Sequence, residues 1–210
     1  MLNNFRRTLY LLAAAATFAH AGSYEDFFVA ITRDNPGSIT SLLQRGFDPN
    51  STDPKGRPAL GLALHQKSYR AAAALFEHPG IDVNALNASG ESALMLAAIT
   101  GEQVWVERLL ARGAVVNQPG WAALHYAASG PNPAVVELLL ARGAAVNALS
   151  PNGTTPLMMA AGYGSESAIP LLLAKGADAR LRNERGLAAA DFARQAGREA
   201  LAARLATLSR

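Results

Sequence analysis

The sequence predicts an all-α repeat protein, a stack of helix-loop-helix units joined by β-hairpin-like loops. Two recurring phrases and their spacing predict it. The first phrase, Gly90-Glu91-Ser92-Ala93-Leu94-Met95-Leu96-Ala97-Ala98, returns as Gly120-Trp121-Ala122-Ala123-Leu124-His125-Tyr126-Ala127-Ala128 and as Gly153-Thr154-Thr155-Pro156-Leu157-Met158-Met159-Ala160-Ala161. The second closes each unit: Leu109-Leu110-Ala111-Arg112-Gly113-Ala114, Leu139-Leu140-Ala141-Arg142-Gly143-Ala144 and Leu172-Leu173-Ala174-Lys175-Gly176-Ala177. The opening glycines fall at 56, 90, 120, 153 and 186, at intervals of 34, 30, 33 and 33 residues. A fixed period in this range signals stacked supersecondary units.

The first 21 residues read as a secretory signal. Arg6 and Arg7 form a basic start, Leu9 to Phe18 is an apolar run too short to span a bilayer comfortably, and Ala19-His20-Ala21 fits a small-x-small cleavage site. Cleavage is expected after Ala21. The competing reading, an amphipathic first helix of the fold, fits poorly with the alanine run and with the lack of acids before Glu25. Residues 22–210 then form the repeat domain. Without Arg6 and Arg7, 17 Lys+Arg face 16 Asp+Glu, so the balance is nearly neutral and lacks the clustered basic stripe of a nucleic-acid binder. The chain has no cysteine, which excludes disulfides, thiolate metal sites and cysteine nucleophiles.

Glu25 to Arg45 predicts an opening helix pair, with Phe27, Phe28 and Ile31 on one helix and Leu42 and Leu43 on the next. In each later unit, alanine pairs such as Ala97-Ala98 allow close helix approach. Runs such as Val135, Val136, Leu138 and Leu139 give a second helix more apolar than a solvated one needs. One pair cannot bury that surface, whereas a neighbour on each side can. Gly46, Gly113, Gly143 and Gly176 stand where such helices end in a left-handed residue, and tips such as Ser150-Pro151-Asn152-Gly153 carry turn formers. His78-Pro79-Gly80-Ile81 lengthens one connection by a residue. Only Gln118 and Pro119 separate Asn117 from Gly120, so that hairpin should be stunted. Pro170 should bend or delay its helix. At the end, Ala189, Ala190, Phe192 and Ala193 are expected to face inward. Arg185, Arg194, Arg198, Arg204 and Arg210 are expected to form the polar outer face of a terminal cap.

These phrases resemble the ankyrin repeat, with its Gly-x-Thr-Pro-Leu-His-x-Ala-Ala opening and Leu-Leu-x-x-Gly-Ala-Asp-x-Asn close. Thr155-Pro156-Leu157, Leu124-His125-Tyr126-Ala127-Ala128 and Gly80-Ile81-Asp82-Val83-Asn84 match best. The resemblance covers Ser23 to the C-terminus. It implies an ankyrin solenoid of about six units: residues 23–53 as N-terminal cap, then 54–87, 88–119, 120–150, 151–182, and 183–210 as C-terminal cap. It also implies that His125 hydrogen-bonds backbone and ties a hairpin to its helix.

No catalytic constellation emerges. His65, His78 and His125 lack metal-ligand spacing, and no His-Glu-x-x-His or Gly-x-Ser-x-Gly occurs. Gly162-Tyr163-Gly164 is at best a fragment of a phosphate loop, and it follows a predicted helix. The three glycosylation-type triplets, starting at Asn50, Asn87 and Asn152, fall at hairpin tips, where turn chemistry selects the same residues. No cofactor or metal is expected.

What remains is surface. The resemblance implies protein binding through a concave face of hairpin tips and first helices. By register this face holds Lys55, Arg57, Glu91, Ile99, Trp121, Asn152, Thr154, Tyr163, Arg182 and Arg185. Trp121 stands out, because an exposed indole after a tip glycine suits a binding anchor. The alternative is that the shortened loop lets it fold back as packing. The reading is a non-enzymatic, exported, monomeric protein of the periplasm or secreted fluid. It binds a protein partner as an inhibitor, immunity or accessory protein, without nucleic acid and without membrane insertion once the signal is removed. Two other classes stand beside it: a self-assembling structural element, and an enzyme with a site assembled across repeats.

Overall fold

The computed structural model describes residues 22–208. The expected export signal, residues 1–21, lies outside the described residues, as do Ser209 and Arg210. The chain divides into two compact units between Asp82 and Val83. Among the described residues all regular structure is helical. Strand-like pairing is confined to single antiparallel bridges, Thr52 with Pro58 and Leu86 with Ser92.

In the first unit, helix α1 covers 22–32, followed by α2 (Pro36–Gln44), α3 (Ala59–His65) and α4 (Tyr69–Phe76). The Asn35 carboxamide accepts the Ser38 N–H, and Pro36 supplies the first helical residue, so α2 starts with its orphan donors reduced. Phe27, Ile31, Ile39, Leu42, Leu60, Leu64 and Leu75 are buried together. Phe27 lies 4.4 Å from the Phe47 ring centroid and 5.4 Å, edge-on, from Phe28. Asp34 accepts the Ala71 N–H at 2.7 Å and so ties the α1–α2 turn to α4.

The second unit contains α5 (Ala93–Thr100), α6 (Gln103–Ala111), α7 (Ala123–Ser129), α8 (Pro133–Ala141), α9 (Pro156–Gly162), α10 (Ala168–Ala174), α11 (Ala189–Gln195) and α12 (Glu199–Leu208). The first helices α5, α7, α9 and α11 pack in series, and α6, α8 and α10 form a parallel series behind them. Leu94, Leu124 and Leu157 from the first series, and Leu109, Leu139 and Leu172 from the second, are fully buried. Removing each such side chain from water stabilises the stack by about 1.5–3 kcal/mol. The small residues set how closely the helices approach. Ala97, Ala127, Ala128, Ala160 and Ala161 are buried, and a Cβ added at Gly164 would overlap the carbonyl oxygen of Ala128. The second helices stop where expected: Gly46, Gly113, Gly143 and Gly176 have φ of +87°, +86°, +80° and +88°.

Four asparagines, each closing one unit, join neighbouring loops, and Arg180 takes the same register position in the unit after them. Asn50 donates to the Gly80 carbonyl at 2.8 Å and accepts the Asp82 N–H at 2.8 Å. Asn84 does the same with Gly113 (3.2 Å) and Val115 (2.9 Å), Asn117 with Gly143 (2.8 Å) and Ala145 (2.8 Å), and Asn147 with Gly176 (3.0 Å) and Asp178 (2.9 Å). A carboxamide suits this place because it carries a donor and an acceptor on one rigid plane.

The hairpin tips share a second device. The side-chain oxygens of Asp53, Asn87 and Asn183 each accept two backbone N–H groups, from two and four residues on. Ser150 plays a reduced version, accepting the Thr154 N–H at 2.9 Å. The asparagines of the three glycosylation-type triplets are thus all engaged in loop structure, Asn152 through its bonds with Ser150 and Thr154. In the shortened connection Gln118 reaches across instead and donates to the Gly90 carbonyl at 3.1 Å.

Two expectations change at the C-terminal side. Arg198 does not belong to an outer polar face. Its Nη1 donates to the carbonyls of Ala160 (3.2 Å) and Ala161 (3.3 Å) in the last turn of α9 and of Gly164 (2.9 Å) just beyond it, and so caps the C-terminal end of that helix. Phe192 is half-buried and lies at the edge of a surface hollow, not in the core. Pro170 is accommodated in the first turn of α10, which starts at Ala168, two residues beyond the register of Pro133 in α8.

Removing one rung should loosen the stack without unfolding its helices. Asn117→Ala is expected to lower the unfolding free energy by about 1 kcal/mol, read from urea titration, with the far-UV circular dichroism of the native state unchanged. A wild-type midpoint would show that the Asn117 bonds are replaced by water at no loss.

Candidate protein-binding face

Each first helix of the second unit begins with a side chain that reaches back to its own N-terminus. Met95 Sδ lies 3.4 Å from the Ser92 N–H, His125 Nδ1 accepts the Ala122 N–H at 3.1 Å, Met158 Sδ lies 3.4 Å from the Thr155 N–H, and Asp191 accepts the Ala188 N–H at 2.9 Å. His125 does more than its counterparts. Its Nε2 lies 3.1 Å from the Ala148 carbonyl and 3.0 Å from the Thr154 carbonyl. With Nδ1 accepting, Nε2 carries the proton and donates to both. The ring is fully buried, and burial holds its pKa below the ordinary 6.5, although the carbonyl bonds pull the other way. His125 is a neutral strut between α7 and the following hairpin, the role the resemblance implied.

The residue after each of these is buried in the first repeat (Leu96) and half-buried in the next three (Tyr126, Met159 and Phe192). Leu96, Tyr126, Met159 and Phe192 therefore occupy one register position on successive helices. Trp121 lies on this row. Its indole is half-buried and meets His125 edge-on at 5.2 Å (75°) and Tyr126 at 6.4 Å (83°). The Tyr126 hydroxyl donates to Glu91 at 2.8 Å, and Glu91 also accepts from the Asn87 side chain at 2.7 Å. Burial, then the Glu91 carboxylate, push the Tyr126 phenol well above its usual range.

Two hollows flank Trp121. One, of about 260 Å³, is lined by Ile99, Trp121, His125, Tyr126, Ser129 and Met159. The other, of about 360 Å³, extends from Trp121 and Met159 to Tyr163, Phe192 and Arg185, with Asn152, Thr154 and Asn183 beneath the tips. Trp121 and Met159 form the wall between them. Tyr163 at the end of α9 is 65% exposed.

Ile99, Trp121, Asn152, Tyr163 and Arg185 thus come together on one surface, with Glu91 supporting Tyr126. Thr154 is a correction, because it is 2% exposed. It lies buried beneath the tip at the floor of the larger hollow, with its N–H bound to Ser150 and its carbonyl to His125. Arg182 flanks the surface, donating to the Gly186 carbonyl at 2.7 Å and lying 3.8 Å from Asp191. Lys55 and Arg57 belong to the first unit. Lys55 is exposed. Arg57 is bound to Asp53, whose burial would raise its pKa but whose bonds to Arg57 and Lys55 outweigh that and lower it. Met159 and Phe192 were missed as face residues. Their signal was present in the register, since they stand 33 and 66 residues after Tyr126.

The periodic helix pairs, the loop-to-loop asparagine rungs and the surface of hairpin tips and first helices define a helical repeat protein built to present one side to a partner. The chain belongs to the ankyrin-repeat family: the family model "Ankyrin repeats" matches three overlapping times, over residues 27–119, 105–183 and 124–206. Ankyrin repeats are protein–protein interaction modules. The chain is similar to a putative ankyrin repeat-containing protein of Treponema pallidum, 36% identical over 81% of this chain and 48% of that protein. It is also similar to rat ankyrin repeat and SAM domain-containing protein 6 (35% identical, 69% of this chain, 13% of that protein). Mouse NF-kappa-B inhibitor alpha is 36% identical over 42% of this chain and 30% of its own length. The chain therefore matches less than half of each of these relatives.

The buried neutral His125 makes stability pH-dependent. Because its folded pKa is lowered, the unfolded chain takes up a proton first as pH falls. The stability it contributes is complete above about 6.5 and declines below that value. His125→Leu is expected to cost about 2–3 kcal/mol at pH 7.5 and to flatten the loss of stability between pH 7 and pH 5, measured by urea titration across pH. An unchanged slope would assign the acid sensitivity elsewhere.

Proposed function

We propose that this chain is an exported, non-enzymatic binding module of about six ankyrin units. It engages a protein partner through the hairpin tips and first helices of its second unit. The observation that carries the reading is the pair of hollows sharing Trp121, with Tyr163 exposed beside them. Indole and phenol rings are the commonest anchors of interface energy because they bury large area at little loss of rotamer freedom. Here Trp121 is already held by His125 and Tyr126, and the tips are held by Asx-type turns. A partner meets a formed surface, so little ordering opposes binding.

The reading includes monomeric behaviour and a location in the periplasm or secreted fluid. It rests there on the Arg6-Arg7 start, the Leu9–Phe18 apolar run and the Ala19-His20-Ala21 site. Among the described residues no helix is long and apolar enough to cross a membrane. The role as inhibitor, immunity or accessory protein is proposed from the binding reading together with the inhibitor among its relatives.

C-terminally tagged full chain, expressed in a Gram-negative host and recovered from the periplasm, is expected to begin at Gly22. An intact Met1 overturns export. Incubated with extract of its own cells, the wild type is expected to retain a protein that a Trp121→Ala, Tyr163→Ala double variant of equal melting temperature loses. Equal retention by both overturns the proposed face. A large fall in melting temperature on Trp121→Ala alone shows that the indole is packing, and overturns its assignment as an anchor.

A further inference from the structure

The larger hollow carries chemistry that the binding reading alone does not use. Its apolar surface comes from Trp121, Met159, Tyr163 and Phe192, and the charged side chain in its lining is Arg185. The Arg185 guanidinium is exposed and has no ion-pair partner among the described residues. The neighbouring arginines are committed. Arg194 lies 2.8 Å from Asp191, Arg182 lies 3.8 Å from the same carboxylate, and Arg198 is spent on the carbonyls of Ala160, Ala161 and Gly164. Glu184 is exposed but does not line the hollow, and its N–H is bound to the Asn152 carbonyl. Apolar surface therefore stands beside one uncompensated cation.

We propose that this hollow receives an apolar side chain from an acidic stretch of the partner polypeptide, with an Asp or Glu carboxylate of that stretch seated on Arg185. The inference rests on the binding reading above and specifies its partner. Covering the hollow strips water from the guanidinium, and a neutral segment would leave that charge without a partner. A basic segment would add repulsion, whereas a carboxylate matches the guanidinium fork with two parallel bonds. Complementary charge beside an apolar anchor also fixes the direction in which the segment lies.

The test is a random peptide library displayed on phage, joined through the peptide's C-terminus so that no terminal carboxylate is offered to Arg185. It is panned on the full chain and on Trp121→Ala and Arg185→Glu variants of wild-type circular dichroism. Peptides enriched on the wild type are expected to pair a large apolar residue with a nearby Asp or Glu. They should bind Arg185→Glu about tenfold more weakly, lose affinity as salt rises, and regain part of it on Arg185→Lys. Panning on Arg185→Glu should replace the acidic preference by Lys or Arg. Enriched peptides without an acidic residue, equal binding to Arg185→Glu, or no enrichment above Trp121→Ala each overturn the proposal. A natural partner that needs Trp121 yet binds Arg185→Glu as it binds the wild type leaves the binding face standing and overturns the acidic segment alone.

Discussion

In the second unit three successive loops are each fixed to the next by one carboxamide that both donates and accepts. Asn84, Asn117 and Asn147 each hold a glycine carbonyl and the N–H two residues beyond it in the following loop. These bonds are individually modest, and their partners are partly wet. Their value is geometric: they set the spacing of one loop from the next, and with it the spacing of the helices that follow. Only at a set spacing can Ala128 and Gly164 touch without overlap, and only then do Leu124 and Leu157 close over a continuous core. Stability in such an array is a chain of nearest-neighbour terms, and within the second unit the rung is one of the bonds that join a helix pair to its neighbour.

That regularity frees other positions to differ. At the third residue of each first helix of the second unit the task is to satisfy one N-terminal donor, and a thioether, an imidazole or a carboxylate all do it. Only His125 also reaches the next hairpin, which is why it can carry Trp121 against its edge. At the next position Leu96 is buried while Tyr126, Met159 and Phe192 are half-buried, and the four vary in size and polarity. The site is the sum of these unconstrained choices on a constrained frame.

The same division explains what was legible in the sequence. The helix pairs, the left-handed glycines after the second helices and the shortened loop before Gly120 follow from local spacing, and the structure has them. The role of His125 was legible through the family phrase. Arg198 was misread because its acceptors, carbonyls at and just beyond the end of α9, lie 34 to 38 residues away, and no local pattern announces a guanidinium's distant partner. Thr154 was misread because the position after a tip glycine holds a half-buried side chain in the other repeats (Arg57, Glu91, Trp121 and Leu187) and a buried one here. Met159 and Phe192 were hidden by their type, since a methionine or phenylalanine in an apolar phrase reads as core until its register is followed from Tyr126.

The shortened connection ahead of Trp121 shows how such a surface can change. Three residues are missing there, yet Asn117 still reaches Gly143 and Ala145. The pitch of the stack therefore does not depend on loop length. A deletion that would shift every strand of a sheet out of register here alters one stretch of outline and nothing behind it. Lineages of this chain can lengthen, shorten or recolour their tips while the helices beneath stay put. Recognition in this architecture can be revised quickly, one loop at a time, without the fold being put at risk.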